Sequence, residues 1–269
     1  ASCLVGSEMC IRDRALAATG YREIVITGIE IASWGWDLKN GQTLTELAEA
    51  LCTAVPNVRI RLGSLEPRII TRDFCLRLSR FPNLCPQFHL SMQSGCDATL
   101  KRMNRKYDTA RFYESVALLR RHFDRPGITT DLIVGFPGET EEEFEETCSL
   151  VERVGYDSAF TFIYSPRVGT RAADMPDQIP ESVSSRRIQK LIALQKEITH
   201  KRYAKYIGQV HNVLVEEASR RDENQMAGKN EYNITVNFPG DKSLVGQIVK
   251  VKITSAGEST LRGEQIEEK

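Results

Sequence analysis

The sequence predicts an α/β fold built on a parallel sheet, followed by a small C-terminal β-barrel. Three observations carry this expectation. Strand-like and helix-like segments alternate from residue 15 to residue 175. Each of these strands stops in a turn rich in Gly, Ser or Pro. From Gly208 onward the texture changes to β-rich runs separated by Gly- or charge-bearing turns. Strands that alternate with helices pair in parallel through right-handed crossovers.

The elements follow in order. Gly20 ends a helix and Glu23 to Gly28 is the first strand. A helix is predicted over Thr43–Ala54, with apolar Leu44, Leu47 and Leu51 on one face and a Thr43/Glu46 capping box. Val58–Leu62 alternates as a strand, Thr71–Arg80 is a short helix, and Phe88–Met92 is a strand. Asp97–Met103 and Asp108–Phe123 are helices, each with Asp at its N-cap. Ile128–Val134 reads as a strand covered on both faces, because Leu132 to Val134 are apolar without alternation. It runs into Gly135-Phe136-Pro137-Gly138, and Thr140 with Glu143 opens the next helix, to Val154. This turn faces a ligand or is a tight strand-to-helix connection; the residues leave both open. Ala159–Tyr164 is the last strand of the series. Met175–Pro180 is a linker, and a basic helix covers Glu181–Tyr206. Val210–Val215, Asn233–Asn237 and Gln247–Thr254 supply strands of an OB-like barrel.

Composition bounds the chemistry. The 269 residues, 41% hydrophobic and 27% charged, describe an ordinary globular protein of one large and one small domain. No apolar run approaches the ~20 residues of a membrane span, and Ala1 to Arg14 lacks the pattern of a signal peptide, so a cytoplasmic location is expected. Seven cysteines are irregularly spaced, and none forms a zinc or iron–sulfur signature. Cys52 and Cys148 read as buried thiols. The formal net charge is zero, but unevenly laid out: residues 56–125 carry 14 basic and 6 acidic side chains, 131–152 carry 8 acidic and none basic, and 181–206 carry 7 basic and 2 acidic. A basic band beside an acidic helix suits a polyanion touching one side, or is a set of solvated helix faces.

The turns after the strands form one rim: Thr27-Gly28-Ile29-Glu30, Gly63-Ser64-Leu65-Glu66-Pro67, Gln93-Ser94-Gly95, Gly135 to Gly138, and Ser165 to Thr170. Such a rim holds a polar ligand through backbone groups and a few oriented side chains. Glu30, Glu66 and Asp131 suit an ammonium or ribose hydroxyls, or are surface carboxylates and helix starts. His89 inside an apolar strand reads as a core histidine rather than a base. No Ser/His/Asp order and no dinucleotide fingerprint appears.

Ile24-Val25-Ile26-Thr27-Gly28, Arg61 to Pro67, His89 to Gly95, Lys101 to Tyr107, Asp131 to Thr140, Tyr164 to Thr170 and Met175 to Gln178, in this order, resemble the radical S-adenosylmethionine barrel of tRNA methylthiotransferases. The Ser-Leu-Glu-Pro and Met-Asn-Arg versions resemble the threonylcarbamoyladenosine branch, the MtaB type. The tail from Gly208 is similar to a TRAM domain, a small RNA-binding barrel. The fold so implied is a partial (β/α) radical-SAM barrel lacking its first strand, over residues 15–175, then a linker and basic helix over 176–207 and a TRAM-like barrel over 208–269.

The resemblance also implies a mechanism. A 4Fe-4S cluster on three closely spaced cysteines binds S-adenosylmethionine, and reduction by a reductant protein yields a 5′-deoxyadenosyl radical. The radical acts at C2 of a modified adenosine beside the tRNA anticodon, where a methylthio group is installed; a second cluster serves sulfur delivery. Gly28 and Glu30 would face the amino-acid end of the cofactor. Gln93 and Asp131 would hydrogen-bond its polar groups, and Gly135, Pro137, Tyr164 and Ser165 would frame the adenine. Ser64, Glu66 and Ser94 complete the expected cofactor set. Arg102, Arg105 and Lys106, with Arg186, Arg187 and Lys190 of the basic helix, are expected on RNA phosphates. No catalytic residue and no metal ligand is assigned. The cluster's Cys-x-x-x-Cys-x-x-Cys is expected upstream of the helix ending at Gly20, where the sequence has only Cys3 and Cys10. Residues 1–14 resemble a translated sequencing adapter and are expected to be a non-native leader, leaving Glu23–Ile26 as a raw sheet edge and the chain an inactive fragment. The alternatives are a plain RNA-binding module, or a radical enzyme of another substrate such as isopentenyladenosine or a ribosomal protein.

Overall fold

A computed structural model describes residues 14–28, 30–36, 39–219 and 222–266. The expected leader and Cys3 and Cys10 lie outside the described residues, apart from Arg14. Among the described residues six strands run parallel: β1 (Glu23–Ile26), β2 (Arg59–Leu62), β3 (Ser64–Leu65), β4 (Gln87–Leu90), β5 (Gly127–Val134) and β6 (Ser158–Ile163). β1 pairs with β2, and β3-β4-β5-β6 form a second sheet. Ile60 joins the two, accepting the Cys85 N–H at 2.8 Å. Among the described residues β1 has a strand on one side only.

Helices α1 (Leu44–Ala54), α2 (Arg72–Leu78), α3 (Asp97–Arg102), α4 (Thr109–His122) and α5 (Glu141–Val154) cover the outside of this curved sheet. Local chemistry sets their starts. Thr43/Glu46 and Thr140/Glu143 form the two expected capping boxes. Burial alone would raise the Glu46 carboxyl, but hydrogen bonds from Thr43 and Arg77 outweigh it and hold the pKa at about 2. Asp108 caps α4, whereas α3 starts differently from the expectation. Cys96 occupies its N-cap, and Asp97 accepts the Thr109 N–H at 2.7 Å, tying α3 to α4.

The sheet corrects two expectations. Ser64 and Leu65 are not merely turn: they pair with His89 and Leu90 as β3. β5 is not covered on both faces. Ile128, Thr130, Leu132 and Val134 are buried against helices, while Thr129, Asp131 and Ile133 are half-buried on the other face. That face is the inner wall of an open half-barrel, so an apolar run in the sequence hides an alternating exposure.

Helix α6 (Glu181–Tyr203) packs across β6 and α5 and continues through a 3₁₀ turn, Ala204–Tyr206, into the second unit. There β7 (Val210–Ser219), β8 (Asp222–Lys229), β9 (Thr235–Pro239), β10 (Ile248–Ala256) and β11 (Thr260–Gln265) close into a barrel. Its own core contains Val213, Met226, Val236, Phe238, Val251 and Leu261. β8 and β11 carry many polar residues, so apolar patterning missed them.

Candidate functional site

The inner wall is layered. At the N-terminal ends of the strands, Arg61 donates Nε and Nη2 to the two Glu23 carboxylate oxygens, each at 2.9 Å. The same guanidinium donates to the carbonyls of Asn230 and Glu231, both at 3.2 Å, in the β8–β9 turn. Burial alone would lower the Arg61 pKa; the Glu23 carboxylate outweighs it and the net is a rise. Arg59 reaches Lys229 O at 3.3 Å and also Asn212 O. The C-terminal barrel therefore seals this end as a floor. Asn230, fully buried, accepts the N–H groups of Tyr232 and Ile234 through its side chain, which shapes the sealing turn.

The middle layer holds a residue that sequence reasoning placed wrongly. His89 is half-buried on the inner wall, not in the core. Its Nε2 lies 3.1 Å from Asp131 Oδ2 and its Nδ1 3.1 Å from Thr129 Oγ1. Phe160, 55% exposed, sits beside it with ring centroids 5.9 Å apart, and Phe162 follows on the same face. The signal was available: His89, Thr129 and Asp131 fall on one face once β4 and β5 are registered.

The third layer is the rim. A cleft of about 330 Å³ brings together Glu30, Ser64, Glu66, Arg68, Arg105 and Lys106. Thus three residues expected on the cofactor and two expected on RNA share one opening. Ser64 Oγ and Ser91 Oγ are 2.8 Å apart, and Arg68 Nη2 donates to Glu66 at 2.9 Å. Lys106 bonds the Asn104 side chain at 2.9 Å. Gly28 lies exposed on the loop after β1. Gln93, with φ of 70°, is held by backbone bonds to Asp131 and Ile133 of β5. Tyr164 packs on Phe136 at 5.1 Å, its buried hydroxyl has no partner among the described residues, and Ser165 is exposed.

Four expected cofactor residues are buried, Gln93 among them. Ser94 is fully buried and accepts the Cys96 N–H at 3.3 Å. Gly135 and Pro137 are buried as well. A Cβ on Gly135 would lie 2.3 Å from Ser184 Oγ of α6, and its φ is +75°, so the close approach that needs this glycine is a helix of the same chain. Its N–H donates to Glu139 Oε2 at 2.7 Å, and Arg187 bonds Glu139 Oε2 at 2.9 Å. Burial pushes the Glu139 carboxyl above its ordinary value, against the pull of the Gly135 N–H and Arg187. The turn after β5 is therefore roofed by α6 and by Asp177, whose carbonyl takes the Gly138 N–H at 2.9 Å.

The acidic helix likewise engages the expected RNA contacts. Arg187, 4% exposed, also reaches Glu141, so no charge is left for a phosphate. Arg186 bonds Glu141 at 3.1 Å and Lys190 bonds Glu145, both while exposed. Arg102 donates to Glu143 at 3.0 Å and to Thr99 at 3.0 Å, across the α3–α5 junction. Arg105 and Lys106 remain exposed at the rim.

The residues differ in how they suit the two expected cofactors. The partly open Asp131 carboxylate and the Ser64–Ser91 pair keep bonding capacity of the kind a polar nucleoside engages, and the buried Tyr164 hydroxyl has no partner among the described residues. An iron–sulfur cluster does not fit the described residues. No group of three His, Cys, Asp or Glu among them is placed to hold a metal. Cys52, Cys75, Cys85, Cys96 and Cys148 are buried and free. Burial pushes Cys52 and Cys75 to about 12, and Cys85 and Cys148 to about 11, away from the thiolate a metal requires.

Residues 11–151 match the Radical SAM superfamily and residues 204–266 match the TRAM domain. A tRNA-2-methylthio-N(6)-dimethylallyladenosine synthase of Clostridium botulinum (strain Okra / Type B1) is 42% identical over 253 residues, covering 94% of this chain and 56% of that protein. One of Thermoanaerobacter sp. (strain X514) is 41% identical over 254 residues, covering 94% and 54%. The chain thus spans little more than half the length of these curated relatives. Among solved structures, coproporphyrinogen III oxidase of Escherichia coli aligns at 20% identity over 58% of this chain and 36% of its own, with a TM-score of 0.47. With the family pattern matched over residues 11–151, into α5, and the closed barrel matched behind it, this chain belongs to the radical SAM superfamily and carries a TRAM domain.

Proposed function

We propose that this chain is the radical SAM and TRAM portion of a tRNA methylthiotransferase, which places a methylthio group at C2 of an N6-modified adenosine. The similarity that carries this reading covers 94% of the chain and is to proteins named as 2-methylthio-N6-dimethylallyladenosine synthases of tRNA. In this reading S-adenosylmethionine would supply the radical chemistry together with a 4Fe-4S cluster, whose ligands are not among the described residues. The chain's own part is to bind and orient. Asp131, held by His89, accepts from hydroxyl or ammonium donors; Tyr164 donates its free hydroxyl; Ser64 and Glu66 line the opening toward RNA. A reductant protein and a cytoplasmic location accompany the proposal. No helix among the described residues is long and apolar enough to cross a membrane.

The relatives' names support dimethylallyladenosine as the nucleoside. A second reading is threonylcarbamoyladenosine, and the chemistry of the rim cleft favours it. A dimethylallyl group is hydrocarbon, whereas a threonylcarbamoyl group carries a carboxylate, and Arg105 and Lys106 line the cleft with no carboxylate among the described residues in hydrogen-bond contact. Calorimetry with S-adenosylmethionine tests the cofactor half, and no heat of binding argues against it. Anticodon stem-loops bearing each nucleoside test the other half. Tighter binding of the dimethylallyl form supports the first reading. Tighter binding of the threonylcarbamoyl form, lost in Arg105→Gln/Lys106→Gln, supports the second. Equal binding of both forms and of plain adenosine would count against either.

A further inference from the structure

A polyanionic substrate needs cations that the protein has not already neutralised, and the inference here rests on the tRNA reading above. The C-terminal barrel is a poor source. From Gly208 to the end, 8 basic residues face 10 acidic ones. Much of α6 is engaged as well: Arg186, Arg187 and Lys190 in its first half answer α5, and Lys196 further along pairs with Glu258 at 2.9 Å. The C-terminal end of α6 differs. There a cavity of about 380 Å³ opens between α4, α6 and the barrel, lined by Arg120, Arg125, Arg202 and Lys205, with Tyr206 and Gln209 beyond.

Two carboxylates share this cavity. Asp157, 2% exposed, accepts from Arg202 at 2.7 and 3.0 Å and from the Ile128 N–H at 2.8 Å, so it and Arg202 neutralise each other. Asp124 pairs with Arg125 at 3.5 Å, a long contact between two exposed side chains that leaves the Arg125 guanidinium donors facing solvent. Arg120 donates to two carbonyls, Val154 O at 2.5 Å and Gly155 O at 3.3 Å, and to no carboxylate. Desolvation and the neighbouring Arg202 charge lower its pKa, as expected of an under-compensated cation. Lys205 is exposed at the mouth. Arg120, Arg125 and Lys205 against Asp124 leave the cavity net positive.

We propose that this seam between α4, α6 and the TRAM barrel is a phosphate-binding site for the RNA backbone, formed by Arg120, Arg125 and Lys205. It lies at the floor end of the strands. At about 3.3 Å per residue, the eight residues of β5 separate it from the rim by roughly 26 Å. Only an RNA longer than that reaches both the seam and the rim. A modified base at the rim is then selected together with an arm of the molecule that a short oligonucleotide lacks.

The test is tRNA binding by the full chain across a salt series, read by fluorescence anisotropy. Arg125→Gln/Lys205→Gln should weaken binding roughly tenfold and reduce the slope of log K against log salt by about 1.5. A seven-nucleotide loop oligonucleotide should bind both proteins alike. Arg186→Gln/Lys190→Gln, matched in charge, should leave affinity and slope unchanged. Unfolding curves that coincide for all three proteins make the comparison valid, and Lys205→Gln alone, at an exposed position, serves should the double variant unfold. An unchanged slope in the seam variant, or an equal loss in the α6 control, overturns the site. If tRNA does not bind at all while S-adenosylmethionine does, the seam falls and the cofactor half of the proposed function stands.

Discussion

The two ends of the parallel strands solve opposite problems. At the floor every charged group has partners: Glu23, Arg61, Arg59 and the carbonyls of the β8–β9 turn close on one another. At the rim, groups are held in place yet left with bonding capacity: Asp131 by His89, Ser64 by Ser91, and Tyr164 with no partner for its hydroxyl. In parallel α/β folds the C-terminal ends of strands carry chemistry and the opposite ends carry stability. Here the floor owes its stability to a second domain, so the TRAM barrel acts as the plug of the half-barrel as well as a candidate RNA module.

The largest expected effect tests the floor. Arg61→Leu leaves the Glu23 carboxylate with only Arg59, 3.8 Å away, and strips two carbonyls of their donor, and should cost about 3 kcal/mol. Urea unfolding monitored by fluorescence measures this, and the affinity for S-adenosylmethionine should be unchanged wherever the variant is folded. A loss below about 1 kcal/mol would mean that the floor is solvated and the comparison mistaken. The next effect asks to which end the β5 turn belongs. Arg187→Leu leaves Glu139 buried without its cation and should also cost about 3 kcal/mol. A nearly neutral result with weakened cofactor binding would return that turn to the ligand, as the sequence first suggests.

These two positions also show what was legible in the sequence. The parallel architecture was legible because caps and periodicity are local: Thr43/Glu46 and Thr140/Glu143 announce their helices within four residues. The rim was legible as a set of turns, but its interior was not. Gly135 reads the same whether a ligand or Ser184 approaches it, because only tertiary packing decides which. His89 looked like a core residue because its neighbours Phe88 and Leu90 are apolar; they face the helices and it faces the wall. Net charge by segment identified α6 as basic but could not show that α5 neutralises its first half. β8 and β11 escaped because a small closed barrel buries few side chains per strand.

At the rim, effects should move from stability to affinity. Asp131→Asn keeps the shape but removes the charge that His89 steadies. It should weaken S-adenosylmethionine binding about tenfold, or roughly 1.4 kcal/mol, while costing less than about 1 kcal/mol of stability. Calorimetry and urea unfolding of the same preparation separate the two. A large stability loss with unchanged affinity would make the His89–Asp131 pair structural, an extension of the floor.

Tyr164→Phe is the smallest change and the sharpest discriminator, because its two readouts should move in opposite directions. Removing a buried hydroxyl that has no partner relieves a desolvation cost, so the free protein should be unchanged or more stable, by up to about 1 kcal/mol. If the rim holds a polar nucleoside, the same hydroxyl gains its partner on binding, and its loss should weaken affinity by about threefold, near 0.7 kcal/mol. The Arg61–Glu23 pair of the floor cannot behave this way, since its charges already answer each other before any ligand arrives. A variant less stable than the parent would mean that Tyr164 already has a partner in the free protein. Rising stability with unchanged affinity would place the ligand elsewhere on the inner wall, against Phe160 and Phe162 rather than beneath Tyr164.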